Sequence, residues 1–197
     1  MADKRTIFFE TLQRHPVIAA LRRAGEIDEA IRQGAAILFM LGEDIFALRE
    51  SVARAHASGR LLFAHIDLIK GIGRDESGLR FLARDLGVDG VLTTRANLVG
   101  PAKREGLVAI QRLFVLDSES LEAGLPSVGR AAPDAVELLP GVILPVIAER
   151  LHDASLPPLI AGGLIRTAAQ VRGALEAGAV GVSTSERSLW TLEASRR

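Results

Sequence analysis

The sequence lacks cysteine and tyrosine altogether, and aromatic residues make up only 4% of the chain. The absence of cysteine excludes disulfide bonds and thiol catalysis. A cysteine-free chain is also typical of reducing compartments, so we predict a cytoplasmic location. With so few aromatic rings, platforms on which nucleic-acid bases stack are scarce.

An excess of charge of one sign is also missing. The chain has 24 Lys and Arg residues against 24 Asp and Glu residues, so its formal net charge is zero. Proteins that bind nucleic acids through their overall charge are strongly basic, and this sequence shows no such signature.

Long apolar segments are absent as well. Ala35–Leu41 is among the longest apolar runs, and it is far shorter than the roughly 20 residues that a membrane-spanning helix needs. The first residues, Met1–Arg5, contain no apolar stretch of the kind that export signals carry. We therefore expect neither a membrane partner nor export.

The sequence does have the composition of one globular domain. Of its 197 residues, 48% are hydrophobic and 24% are charged, which is enough to bury a substantial core. No linker or low-complexity stretch divides the chain. We predict a single domain over residues 1–197.

Apolar runs of strand length alternate with amphipathic segments along the whole chain. The predicted strands are His15–Leu21, Ala35–Leu41, Arg60–Leu68, Gly90–Thr94, Leu107–Phe114, Ala135–Leu139, Pro158–Ala161 and Ala179–Thr184. The predicted helices are Glu26–Gln33, Ile45–Ser58, Asp75–Leu86, Arg95–Glu105, Ser118–Arg130, Leu144–Leu151, Ala168–Ala177 and a last one from Glu186. Continuously apolar strands indicate a parallel sheet buried on both faces. These units predict an α/β fold, a small (β/α)₈ barrel of the TIM type.

The strand–helix units are short for this fold, because eight of them share 197 residues and the usual barrel has about 250. We therefore predict that some helices are shortened, with the segment after Pro140 as the best candidate. An open, doubly wound sheet is the alternative architecture, but the regularity of the units favours a closed barrel.

The two last units carry the most informative motif. Pro158–Ala161 is followed by a double glycine, and Ala179–Thr184 ends in hydroxyl residues. Glycines let backbone N–H groups approach a ligand closely, and hydroxyl groups add donors. This is the layout of the phosphate site that follows strands seven and eight of a barrel. The predicted phosphate-binding residues are Gly162, Gly163, Arg166, Ser183, Thr184 and Ser185.

Polar residues also follow other predicted strands, and the carboxyl ends of barrel strands form the functional face. These candidates are Asp67, Lys70, Thr94, Arg95, Gln111, Arg112 and Glu137. Alternation along the sixth strand points Glu137 into the barrel mouth, where an unpaired carboxylate is costly. Its partner is Arg112, Lys70 or a ligand hydroxyl, so a purely internal ion pair of Glu137 with Arg112 is an open alternative.

Several polar residues have simpler interpretations. His65 lies near Asp67 in the sequence, but without a third ligand the pair does not indicate a metal site. We interpret His65 as a hydrogen-bonded core residue. Arg95 begins a helix, where solvent exposure and ligand contact are equally plausible. Four charged residues are interpreted as solvent-exposed: Arg22, Arg23, Lys103 and Arg104.

Seven motifs occur in order along the chain: Phe63–Ile72, Thr94–Ala96, Ala109–Phe114, Leu116–Ser118, Val136–Gly141, Ala161–Thr167 and Gly178–Ser185. In this combination the chain resembles the glycerol-3-phosphate-responsive antiterminator family from about Val17 to Trp190. The resemblance implies a barrel that senses glycerol 3-phosphate and acts on leader mRNA. Such a protein prevents premature termination of transcription of glycerol-utilisation genes. We expect no catalytic residue and no cofactor, with glycerol 3-phosphate as an effector.

This ligand gives each candidate a role. Arg166, the double-glycine turn and the hydroxyl groups of the eighth strand would hold the phosphate through donors and charge. Asp67 and Glu137 would accept hydrogen bonds from the glycerol hydroxyls. Other residues would donate hydrogen bonds or balance charge: Lys70, Gln111 and Arg112. Two further residues are predicted as additional contacts: Thr94 and Arg95.

An enzyme that acts on a small phosphorylated substrate, such as an isomerase, aldolase or phosphodiesterase, is the alternative function. Asp67 and Glu137 would then serve as acid and base, and Lys70 would form a Schiff base. Barrels host many chemistries, so the fold does not decide between these functions. A barrel that merely retains a phosphate site is a third hypothesis. A homo-oligomer is compatible with the sequence.

Overall fold

The structure, a computed structural model, describes residues 3–152 and 156–192. Eight parallel strands form a closed barrel, in which each strand pairs with the next and the last pairs with the first. The strands are β1 (Val17–Leu21), β2 (Ile37–Met40), β3 (Leu61–His65), β4 (Gly90–Thr93), β5 (Val108–Phe114), β6 (Ala135–Leu139), β7 (Leu159–Gly162) and β8 (Gly181–Thr184). The predicted (β/α)₈ barrel is confirmed, and the open sheet is excluded.

Helices cover the sides and one end of this barrel. They are α1 (Lys4–Arg14), α2 (Ile27–Arg32), α3 (Ile45–Ala57), α4 (Glu76–Arg80), α5 (Ala96–Arg104), α6 (Ser118–Ala131), α7 (Leu144–His152) and α8 (Ala168–Glu176). Helix α2 has 6 residues, and α4 has only 5 before the chain continues as a π-helical segment, Phe81–Leu86. The prediction of shortened helices is confirmed. None of the helices in the described ranges is long and apolar enough to cross a bilayer.

Two helix predictions need correction. The segment after Pro140 is not the shortest, because it begins with the 3₁₀ turn Gly141–Ile143 and continues as the 9 residues of α7. After β8, the described residues contain only the 3₁₀ turn Arg187–Leu189 in place of the helix predicted from Glu186. The Trp190 indole N–H donates to a carbonyl oxygen of β8, which folds this segment back onto the strand. Residues 193–197 of that prediction lie outside the described residues.

No helix is predicted before β1, yet α1 lies there and closes one end of the barrel. Phe8 and Leu12 are buried in the cluster that fills the barrel interior. The ring of Phe8 lies 4.8 Å from that of Phe63, centroid to centroid. The same cluster contains Val108 and Ala135, the first residues of β5 and β6. Helix α1 therefore covers the amino-terminal ends of the strands and leaves their carboxyl ends open.

Side chains of each strand alternate between the barrel interior and the helical layer. On β5, Ile110 belongs to the interior cluster, whereas Ala109 belongs to the layer between strands and helices. Arg112 shares the inward side of Ile110, and Gln111 shares the outward side of Ala109. The prediction that Gln111 contacts a ligand in the barrel mouth is therefore corrected: its side chain faces the helices. By the same alternation His65 points inward from β3.

The first turns of the helices shape the loops at the carboxyl ends of the strands. Asp44, Asp75, Asp117 and Thr167 are N-caps whose side chains accept hydrogen bonds from backbone N–H groups of α3, α4, α6 and α8. Such caps stabilise a helix by about 1 kcal/mol each. They hold the loops that carry the candidate site.

Candidate functional site

A cavity of about 650 Å³ opens at the carboxyl ends of the strands. Most of the predicted site residues line it: Arg112, Glu137, Gly163, Arg166, Ser183, Thr184 and Ser185. The predicted residues that follow β3 and β4 do not line it: Asp67, Lys70, Thr94 and Arg95. The structure therefore brings the ends of β5–β8 together as one site and separates the ends of β3 and β4 from it.

Residues after β7 and β8 that line this cavity have backbone N–H groups without a protein acceptor among the described residues. Gly163 and Leu164 both adopt left-handed conformations, with φ of 81° and 61°. Within the described ranges, the N–H groups of Gly163, Leu164 and Ser185 donate to no protein acceptor. Turns that present successive free N–H groups are suited to anions. We call these three N–H groups the amide cradle.

Some of the predicted hydroxyl donors are already used by the protein. The Ser183 hydroxyl donates to Glu137 Oε1 at 2.5 Å, and the Thr184 hydroxyl donates to the Ile165 carbonyl at 2.7 Å. The Ser185 side chain is exposed, and its hydroxyl has no hydrogen-bond partner in the part of the chain that the structure describes. Of the three predicted hydroxyl groups, Ser185 is therefore the one available as a donor to a bound anion.

Two arginine side chains add positive charge beside the amide cradle. Arg166 and Arg22 are exposed and line the cavity, and neither has a carboxylate within salt-bridge distance among the described residues. The interpretation of Arg22 as solvent-exposed is confirmed, but the residue follows β1 directly and borders the cavity instead of lying on a helix. Its position after a strand was the signal in the sequence. Guanidinium groups beside free N–H groups favour a phosphate or a carboxylate.

Glu137 and Arg112 form a buried ion pair at the floor of the cavity. Arg112 Nε lies 2.6 Å from Glu137 Oε2, and the side chains are 10% and 1% exposed. The internal ion pair that the sequence left open is therefore confirmed. Gly162 is buried beneath the pair, where a Cβ atom would collide with the Glu137 carboxylate and lie 2.8 Å from Ser183 Oγ. Gly162 thus permits the close approach of β6, β7 and β8.

The predicted residues after β3 and β4 form a separate, self-contained cluster. Asp67 accepts hydrogen bonds from the Thr94 N–H, the Thr93 hydroxyl and Arg95 Nε at 2.8–3.0 Å. Burial alone would raise the pKa of Asp67, but these hydrogen bonds and the nearby positive charge lower it below its usual value. The lone pairs of Asp67 are used within this cluster, and Lys70 is exposed outside the cavity. The cluster joins two loops and does not contact the cavity.

His65 is buried in the barrel interior, as predicted, but it lacks the predicted hydrogen bond. Neither ring nitrogen has a hydrogen-bond partner, and Nδ1 lies 3.8 Å from Asp67 Oδ2. Burial, reinforced by the charge of Arg112, lowers the pKa of His65 to about 4, so the ring is neutral at pH 7. No group of three metal-binding side chains occurs among the described residues.

Apolar side chains form part of the cavity wall beside the cradle. They are Leu41, Phe114, Leu139 and Leu164, and Phe114 is 48% exposed. The guanidinium carbon of Arg112 lies 5.5 Å from the centroid of the Phe114 ring. The sequence analysis missed this wall because an apolar residue at a strand end looks like a core residue. Two-residue alternation from Arg112 to Phe114 was the available signal.

Comparison with known families agrees with the motifs of the sequence. A family described as glycerol-3-phosphate responsive antiterminator matches residues 17–190. The chain belongs to this family. The matched range covers the whole barrel from β1 onward and begins after α1.

Individual relatives are moderately similar over nearly their full lengths. The structure of a glycerol uptake operon antiterminator regulatory protein from Listeria monocytogenes is 33% identical, with a TM-score of 0.82 over 88% of this chain and 94% of that chain. The structure of an antiterminator-related protein from Thermotoga maritima is 30% identical, with a TM-score of 0.80 over 91% and 99%. An uncharacterized protein of Escherichia coli, YgcP, is 33% identical over 92% of this chain and 94% of its own. A deoxyribose phosphate aldolase from Aeropyrum pernix, at 18% identity, shares the fold alone.

Proposed function

We propose that this protein binds glycerol 3-phosphate in the cavity and, in response, acts on leader mRNA to prevent premature termination of transcription. Membership of the antiterminator family supports both parts of this proposal. The structural observation that carries the ligand half is the amide cradle together with the unpaired guanidinium groups of Arg22 and Arg166.

The cradle matches the charge of a phosphate monoester. Such a group carries about −1.5 to −2 charges at pH 7 and offers strong acceptor oxygens. Three N–H groups, the Ser185 hydroxyl and two arginines supply donors and compensating charge. Because no acceptor in the described part of the chain competes for these N–H groups, phosphate binding breaks no hydrogen bond there.

The glycerol hydroxyls would lie near Arg112 and Glu137, the polar pair that lines the same cavity. Both oxygens of Glu137 already have protein partners, so a ligand hydroxyl must share them. We therefore expect the phosphate to supply most of the affinity and glycerol alone to bind too weakly to detect.

Calorimetry with three ligands tests this assignment. Glycerol 3-phosphate should bind, inorganic phosphate should bind more weakly, and glycerol should give no heat. Equal affinities for inorganic phosphate and glycerol 3-phosphate would support the barrel with only a retained phosphate site. No binding of glycerol 3-phosphate at millimolar concentration would refute the proposed ligand.

The response to the ligand requires two conformations or two modes of RNA binding. Glycerol 3-phosphate changes the affinity for RNA only by as much as its own affinity differs between the RNA-bound and free protein. Gel shifts with the leader transcript of the glycerol-utilisation genes, with and without glycerol 3-phosphate, measure this coupling. A typical coupling changes the affinity about 5- to 150-fold.

The alternative of an enzyme has less support in the structure. Asp67 and Lys70 lie outside the cavity, so they do not meet Glu137 around a common ligand. The Glu137 carboxylate is held by Arg112 and Ser183. Turnover of a phosphorylated sugar by the wild-type protein would reverse this ranking.

A further inference from the structure

Large apolar side chains are exposed along one side of the cavity mouth. Phe114 and Leu116 at the end of β5 are 48% and 85% exposed, Val146 in the first turn of α7 is 83% exposed, and Leu164 after β7 is 63% exposed. Phe114 and Leu164 line the cavity, and Leu116 and Val146 lie in the segments that follow β5 and β6, the strands next to β7. We call these four residues the apolar rim. Glycerol 3-phosphate has no apolar part that would explain them.

Phe114 is the aromatic member of the rim, and its ring lies beside a guanidinium that is itself held in place. Arg112 lies 5.5 Å from the ring centroid, and the same guanidinium is bound to the buried Glu137 at 2.6 Å. This contact limits the freedom that the ring loses when a second planar group stacks on it. Phe114 lines the same cavity as Arg22 and Arg166.

We propose that Phe114 is a stacking site for an unpaired base of single-stranded RNA, next to the amide cradle. This inference rests on the proposed function, which supplies RNA as the partner. Single-stranded nucleic acids bind where aromatic rings meet positive charge, because every base has a π-face and every nucleotide a phosphate. The cavity is within the size range that holds drug-sized ligands, so a small ligand in the cradle leaves space beside the Phe114 ring.

The arrangement favours a base over an apolar protein segment. A protein partner would gain most from Leu116 and Val146, which are the most exposed members of the rim. It would have no use for Arg22 and Arg166, which line the same cavity and have no carboxylate partner among the described residues. A nucleotide uses both the planar ring and the cations, and Phe114 is the rim residue that combines a π-face with a neighbouring guanidinium.

Fluorescence anisotropy with labelled 12-nucleotide oligo(A) and oligo(U) tests the proposal, with glycerol 3-phosphate absent and then saturating. Phe114→Ala should weaken RNA binding about 5- to 150-fold, which is the effect of removing one base–aromatic stack. Phe114→Trp should retain the wild-type affinity. Phe46→Ala is the matched control, because Phe46 is 75% exposed at the start of α3 and does not line the cavity. Circular dichroism checks that each variant is folded.

Each outcome separates the stacking site from the ligand site. Loss in Phe114→Ala with no loss in Phe46→Ala supports stacking, even if calorimetry finds no glycerol 3-phosphate binding and the sensing half fails. Equal effects of the two variants, or no RNA binding by the wild type, overturn the proposal. If Phe114→Ala instead dissociates a wild-type dimer in analytical ultracentrifugation and leaves RNA binding unchanged, the rim is a contact between copies and the proposal is overturned.

Discussion

At the residue scale, Gly163 combines a left-handed backbone conformation with a position at the cavity, and comparison with a second glycine separates the two. Its φ of 81° disfavours any side chain, and it lines the cavity with an N–H group that has no acceptor among the described residues. Gly87 has a similar φ of 74°, with no atom near a Cβ built on it, and it ends the π-helical segment before β4. A side chain introduced at Gly87 therefore meets the same left-handed backbone conformation as one at Gly163, but at the opposite end of the barrel.

We expect Gly163→Val and Gly87→Val each to lower the free energy of unfolding by about 1–2 kcal/mol, because both force a side chain into a left-handed conformation. Only Gly163→Val should abolish phosphate binding, since its side chain blocks approach to the cradle. Denaturant unfolding and calorimetry check the two effects. Unchanged phosphate affinity in a folded Gly163→Val protein would contradict the cradle geometry.

His65 makes a prediction about pH. Its pKa in the folded protein is lowered from 6.5 to about 4. Between these values the unfolded chain takes up a proton that the folded protein does not, so stability falls as the pH drops. From pH 6.5 to pH 4 this contribution amounts to at most about 3 kcal/mol.

The variant His65→Leu should therefore show a smaller loss of stability than the wild type over this interval. Urea unfolding at several pH values, compared between the two proteins, isolates the contribution of this histidine. Parallel curves for wild type and variant would show that His65 titrates alike in the folded and unfolded states.

At the scale of secondary-structure elements, α1 is part of the barrel core although it lies outside the family match. Phe8 is fully buried against Phe63, whereas Ile7 on the same helix is 37% exposed. Phe8→Ala should lower the free energy of unfolding by about 3–5 kcal/mol, because it leaves a cavity in the barrel interior.

Ile7→Ala is the control on the same helix and should cost less than about 1 kcal/mol. Equilibrium unfolding in urea measures both variants. If Phe8→Ala proved as mild as Ile7→Ala, α1 would be a loosely attached helix rather than the closure of the barrel.

The elements also explain why the predicted site residues fall into two groups. Because all of them follow strands, the sequence analysis expected Asp67, Thr94 and Arg95 beside the residues that follow β7. In the structure these residues bond one another between β3 and β4. Strand order alone puts β3 and β4 across the barrel from β7 and β8, so residues at the same face need not share a ligand.

At the scale of the whole molecule, the balanced charge limits how RNA binds. Five exposed cations at the carboxyl ends of the strands have no carboxylate partner among the described residues: Arg22, Arg23, Lys70, Arg74 and Arg166. Even if all of them contact phosphates, the slope of log K against log salt for single-stranded RNA is about −3.5.

We therefore expect a shallow salt dependence, with a slope no steeper than this value. Titrations of oligo(U) from about 50 to about 300 mM KCl measure this slope of log K against log salt. A slope near that of strongly basic repressors, about −10, would require a basic surface that the chain does not have.

The sequence by itself determined the repeating architecture, the double-glycine turn after β7 and the family. These depend on local patterns: apolar runs of strand length, glycines after β7, and motifs in a fixed order. The tertiary structure decided which polar residues meet. The register between β5 and β6 paired Arg112 with Glu137, the fold of β6–β8 brought the Ser183 hydroxyl to Glu137, and closure of the barrel between β8 and β1 placed Arg22 at the same cavity as the cradle. Such contacts join residues far apart in the chain, and alternation along a strand shows which way a side chain points but not what it touches.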